Sequence, residues 1–128
     1  MKGLLLFLML CCAVSLKAQD KPAPKYEMKQ YWFVMLSRGK DRDKVTDTAV
    51  INKLQAGHMA NMQVMADSGK LMVAGPFGDD GNWRGIFIFD CKTKEEVIEL
   101  LKHDPAIAAG RLDYEIHPWW TAKGTVFK

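Results

Sequence analysis

Cysteine is scarce in this sequence: three occur among 128 residues, and two of them, Cys11 and Cys12, sit side by side in an N-terminal apolar run. Cys91 stands alone in the remainder, which excludes an internal disulfide framework and a zinc site built on paired cysteines. Metal-ligand spacing is missing too. His58, His103 and His117 are scattered, and there is no His-Glu-x-x-His run, so no metal is implied. Asp79-Asp80-Gly81-Asn82 lacks the alternating acids and distant Glu of a calcium loop and reads as a turn. The Gly75-x-x-Gly78-x-x-Gly81 spacing is broken by Pro76, with no long helix after it. It is therefore not a dinucleotide fingerprint, and no cofactor is implied.

What the N-terminus does contain is Lys2 followed by an uncharged stretch from Gly3 to Leu16 and a small residue at Ala18. A basic start, a short apolar run and a small residue describe a secretory signal peptide over residues 1–18. The run is short for a membrane span, which needs about 20 apolar residues, so a retained anchor helix is the weaker alternative. Export to the periplasm or beyond is expected, with cleavage near Ala18 and no stable span afterwards. Removing that segment takes away Lys2 and Lys17 and no acid, so the formal charge falls from +3 to +1. The basic character that would suggest nucleic acid or an anionic membrane surface leaves with it.

Residues 19–29 hold Pro22 and Pro24 among lysines and read as a flexible linker. Residues 30–122 read as one domain and 123–128 as a tail. Tyr31-Trp32-Phe33-Val34-Met35-Leu36 is an apolar first strand, bounded by Ser37-Arg38-Gly39. From Asp47 or Thr48 to Ser68 the apolar spacing turns helical, with Ile51, Leu54, His58, Met62 and Met65 on one face and Gly69 as the closing residue. Leu71 to Ala74 is a short strand that ends at Gly75-Pro76. The Asp80-Gly81 pair marks a hairpin into a third strand from Gly85 to Asp90. Thr93 and Glu96 form a capping box for a second helix, which buries Val97, Leu100 and Leu101 and ends before Asp104-Pro105. One further turn reaches Gly110, and a last strand alternates Leu112, Tyr114 and Ile116 with Asp113, Glu115 and His117.

Strand, helix, strand, strand, helix, strand is the α+β, ferredoxin-like βαββαβ order: an antiparallel sheet with both helices on one face. The other face has no helix of its own. With Trp32 or Phe33 on it, that face is expected to meet a second copy in a homodimer. Trp119-Trp120 are expected at the sheet edge or the dimer seam.

His58 is the residue of most chemical interest, because its helix position turns an imidazole towards the sheet. A hydrogen-bonded core histidine and a general acid/base both satisfy that placement. Asp104 before Pro105 is a natural cap for a helical turn. One carboxylate oxygen can cap while the other orients an imidazole, so the two roles are compatible. Met59, Met62 and Met65 lie in or beside the helix stripe and read as packing rather than copper ligands. Cys91, at the end of an apolar run, reads as a small buried hydrophobe.

His58-Met59-Ala60-Asn61-Met62 and Gly69-Lys70-Leu71-Met72-Val73-Ala74-Gly75-Pro76 resemble the YciI-like (YCII-related) family. So do Asp104-Pro105-Ala106-Ile107-Ala108-Ala109-Gly110 and Ile116-His117-Pro118-Trp119. The resemblance runs from about Tyr31 to Trp120. It implies a dimeric α+β barrel with a His–Asp active site between helix and sheet, carried here by His58 and Asp104. It also implies lyase- or isomerase-like handling of small, often aromatic or lactone substrates. Export sets this chain apart from the cytoplasmic setting common in such domains. Together these readings describe a small exported enzyme, metal-independent, with Gly75 and Pro76 edging a substrate pocket. The alternative is a non-catalytic module of the bacterial envelope that binds a small ligand or a partner.

Overall fold

A computed structural model describes residues 25–127; the segment read as a signal peptide, and most of the linker, lie outside the described residues. Strand β1 (Met28–Arg38) is followed by a short 3-10 turn at Arg42–Lys44, helix α1 (Thr48–Asp67), and strands β2 (Leu71–Pro76) and β3 (Trp83–Phe89). Helix α2 (Lys94–Lys102), the single turn α3 (Pro105–Ala108) and strand β4 (Leu112–Ala122) complete the order. The four strands form one antiparallel sheet in the order β2-β3-β1-β4. This is the expected ferredoxin-like arrangement, in which each βαβ unit skips one strand.

The strands extend beyond their apolar cores. β1 begins at Met28, two residues inside the segment read as linker, because all of Met28–Arg38 pairs with Ala122–Leu112 of β4. β4 runs on through Pro118, and β2 ends on Pro76. Both prolines are tolerated because β2 and β4 are the edge strands, where a missing ladder donor costs little.

Local chemistry sets the helix ends. Asp47 caps α1 by accepting from the N–H of Ala49 and Val50, and Gly69 leaves the helix at φ +72°. Thr93 accepts from Glu96 N–H at the start of α2, while the Glu96 carboxylate returns to Lys92 N–H. The core lies between helices and sheet, on Val34, Leu36, Met65, Leu71, Phe87, Phe89, Val97, Leu101 and Ile116. Cys91 is buried with them, and burial pushes its thiol up to about 11. It is the small apolar residue expected, with no nucleophilic character at neutral pH.

Strand alternation sorts the aromatics. Trp32 packs against this core and donates its indole N–H to the Cys91 carbonyl, 3.2 Å away. Phe33 and Met35, one residue out of phase with Val34, face the opposite side together with Ile86, Ile88 and Trp119. Of the two candidates, Phe33 and not Trp32 therefore lies on the face without helices, together with Tyr31 and Trp119.

One close approach fixes how α1 meets α3. A Cβ placed on Gly57 would stand 2.5 Å from Pro105 Cγ, well inside van der Waals contact. An alanine in place of a mid-helix glycine ordinarily stabilises by about 1 kcal/mol. Here we expect the opposite sign: Gly57→Ala should destabilise the domain by about 1–3 kcal/mol through overpacking, read as a lower denaturation midpoint in urea. A rise in the midpoint would show that the α1–α3 spacing is not under this constraint.

Candidate active site

α1 and α3 bring His58 and Asp104 together across 46 residues of sequence. His58 is 8% exposed and Asp104 is fully buried. Asp104 divides its carboxylate between two tasks. Oδ1 accepts from the N–H of Ala106 at 2.9 Å and of Ile107 at 3.3 Å, capping α3. Oδ2 lies 2.5 Å from Nδ1 of His58. A carboxylate facing backbone donors acts as an acceptor, so Nδ1 is the nitrogen that carries the hydrogen. Nε2 is then left with its lone pair on the opposite edge of the ring. Phe87 stacks against the imidazole, with ring centroids 6.0 Å apart and planes at 24°. The ring is thus held by a hydrogen bond along one edge and by an aromatic face.

His58 forms part of the wall of a cavity of about 390 Å³ between α1 and the sheet. That volume suits a single small organic molecule. Gly75 and Pro76, expected at a pocket edge, line the same cavity, as do Met59, Met62 and Phe87. A Cβ on Gly75 would meet no atom within 4 Å, so the glycine leaves open space there. The other histidines are elsewhere: the side chains of His103 and His117 are 71% and 58% exposed, each near a glutamate on its own element.

Three charged residues of the wall were not singled out in the sequence: Arg42, Arg84 and Arg111. They lie far apart in the chain but at one end of the sheet, just past the end of β1 and at the starts of β3 and β4. A β-bulge helps to place Arg84. Leu36 pairs with Gly85 and Ser37 with Trp83, so Arg84 is the extra residue between them. Backbone bonds from Gly39 N–H to the Arg111 carbonyl and from Asp41 N–H to the Gly110 carbonyl tie the other two segments together. Glycine is required at that junction. Gly110 has φ +68°, and a Cβ on Gly39 would collide with the Gly110 carbonyl oxygen. Arg111 donates to the carbonyls of Arg42 and Val45. Arg84 shares the exposed Asp80 carboxylate with Arg38. Arg42 has no side-chain hydrogen bond or ion pair among the described residues. Burial first, then the guanidiniums of Arg111, Arg84 and Arg38, pulls Arg42 below the ordinary arginine value, and Asp80 offsets part of this. The arginines were legible only once the strand directions were known, since no spacing in the sequence links them.

No curated protein matches the chain. Among solved structures it is similar to 5-chloro-2-hydroxyhydroquinone dehydrochlorinase from Burkholderia phenoliruptrix AC1100, in complex with 2,5-dihydroxybenzoquinone. The TM-score is 0.51 at 19% identity, covering 69% of this chain and 92% of the other, which is a likeness of fold. The family model of the YCII-related domain matches residues 32–120, a span that runs from within β1 through most of β4 and takes in both His58 and Asp104. The chain belongs to the YCII-related domain family.

Proposed function

We propose that this protein is a small acid/base enzyme of the lyase or isomerase kind. In this reading His58 moves a proton on a small organic substrate and Asp104 holds the imidazole. The observation that carries the proposal is the 2.5 Å contact between Asp104 Oδ2 and His58 Nδ1 at the wall of a cavity. A core histidine needs only a partner. This one has its partner on Nδ1, an aromatic face beside it, and open space to which Nε2 is the remaining nitrogen. With Nδ1–H fixed, Nε2 is the basic atom, and it takes the substrate proton as the imidazolium forms against the Asp104 carboxylate. Asp104 is a positioning residue. It is itself positioned by α3, whose two N–H groups hold Oδ1. The similar solved structure is named for a dehydrochlorination, which removes a proton together with chloride, and it holds a small quinone. Both facts favour a compact cyclic substrate and a base-assisted reaction here. Gly75 and Pro76 would bring backbone alongside that substrate.

The enzyme is tested by incubating the protein in D₂O with 5-chloro-2-hydroxyhydroquinone and a panel of small phenols and lactones, following deuterium uptake and chloride release. His58→Gln should lower the rate at least about 100-fold, as loss of a general base does. Asp104→Asn, which presents the wrong hydrogen to Nδ1, should also lower the rate while leaving ligand binding in place. An undiminished rate in His58→Gln would overturn the assignment, and tight binding with no exchange in any compound would favour the binding module.

The same proposal includes a homodimer formed through the sheet face that bears Phe33, Met35, Ile86 and Trp119, an apolar patch bordered on β4 by Glu115 and His117, with the helices on its other side. Light scattering should give twice the chain mass, and Phe33→Glu should shift it to the monomer. A monomeric wild type would remove the dimer from the reading. Export is part of the proposal as well, supported by the charge and apolar pattern of residues 1–18. Protein recovered from a bacterial envelope fraction should begin near Gln19, and recovery of the uncut chain from the cytoplasm would refute this.

A further inference from the structure

Resting on the acid/base reading of this site, we propose that its substrate is an organic oxyanion, a carboxylate or an ionised hydroxyl, held by Arg42 and Arg111 with Arg84 at the rim. The argument begins with what lines the cavity. Three guanidiniums contribute to its wall, and no aspartate or glutamate does. Asp104 is fully buried behind His58, with its carboxylate committed to the imidazole and to α3. Asp80 is the acid that meets this cluster. Its side chain is 85% exposed and already shared by Arg38 and Arg84, so water screens much of its effect. Asp41 pairs with Lys44. Asp80 therefore offsets the positive charge in part, at Arg84, while Arg42 and Arg111 have no acid as an ion-pair partner among the described residues.

The arrangement is built rather than incidental. Gly39 and Gly110 allow the loop after β1 to lie directly against the start of β4, and two backbone hydrogen bonds lock the loops at that spacing. The Arg111 guanidinium is aimed by the carbonyls of Arg42 and Val45, which leaves its other donors free for a ligand. Arg42 is half-buried beside it without a partner among the described residues. Like charges held together at partial burial are unfavourable unless something of opposite sign comes between them. A planar oxyanion meets that need, since guanidinium donors match it in pairs.

The position also suits the chemistry. The arginines and His58 line one cavity, so an oxyanion on the arginines leaves the rest of a small molecule to reach Nε2. When a proton leaves carbon next to a carbonyl or ring, negative charge spreads onto oxygen, and fixed donors at that oxygen stabilise it. Arg42 and Arg111 would then serve both binding and the enolate-like transition state.

The test uses NMR titration of the protein with inorganic phosphate, benzoate and neutral benzamide, reading the arginine Nε–H and His58 signals. Phosphate and benzoate should shift the Arg42 and Arg111 signals saturably, and benzamide should not. Arg42→Gln removes a guanidinium that makes no internal hydrogen bond, so the fold should survive; binding of both anions should weaken about tenfold, the worth of one charge-assisted contact. Arg111→Gln provides a second measure. Absence of saturable shifts with either anion, equal binding of benzamide and benzoate, or wild-type affinity in both arginine variants would overturn the proposal. His58→Gln separates this inference from the reading on which it rests. Anion binding within about threefold of wild type in that variant, well under one contact's worth, leaves the arginines as the anion site whether or not proton exchange is lost. Undiminished exchange in His58→Gln removes the acid/base role alone.

Discussion

A single carboxylate organises this site. Burying Asp104 completely would cost several kcal/mol if it were left bare, because a carboxylate in a protein interior must regain in hydrogen bonds what it loses in hydration. Three donors answer that need, two from the backbone of α3 and one from His58. The consequence runs both ways. The α3 turn is only four residues long, and its first N–H groups are satisfied by Asp104; the His58 ring is fixed because that same carboxylate has a second oxygen to offer. Helix capping and imidazole orientation are one interaction seen from two sides.

That interaction requires α1 and α3 to come closer than ordinary side chains permit. Gly57, next to His58, faces Pro105, next to Asp104. The glycine removes a side chain where the two elements touch, and Pro105 supplies a preformed first helical residue that needs no donor. The sequence neighbours of the two chemical residues are thus the ones that set their separation. In an isolated helix Gly57 would be a weakness; in this packing it admits α3.

His58 was legible from the sequence because helical spacing places it among Leu54, Met62 and Met65. Asp104 was legible as a cap because it precedes Pro105. Nothing in the spacing joined the two, since 46 residues separate them, and only the family resemblance did so. The strand ends were understated for a different reason. Pro76 read as a stop and the alternation of the last strand was followed only to His117, before Pro118, whereas an edge strand has a free side on which a missing N–H is harmless. Arg42, Arg84 and Arg111 could not be read as a group at all. Each looks like a solvated loop or strand-end charge, and they converge only because an antiparallel sheet returns the end of β1 and the starts of β3 and β4 to the same edge of the molecule. Gly57 carried no signal, because close approach is a property of the pair it forms with Pro105.

In the proposed reading, the two halves of the cavity divide the demands of proton transfer between groups that cannot exchange roles. Guanidinium keeps its proton across the physiological range and offers donors in a fixed plane, so arginine can receive developing negative charge but cannot remove a proton. Imidazole can do the reverse, provided one nitrogen is held as donor so that the other remains a base. Here the nitrogen held as donor faces a carboxylate buried behind the ring, while the positive groups stand at the cavity wall. On that proposal, a molecule lying between them would meet a base from one direction and electrostatic stabilisation from another. Such a gradient of charge cannot be created by the substrate; the fold has to maintain it before anything binds. Arg84 shares Asp80, but Arg42 and Arg111 are left without an acid partner among the described residues, an arrangement unfavourable for stability alone and intelligible in the proposed reading, where the missing counter-charge arrives with the ligand.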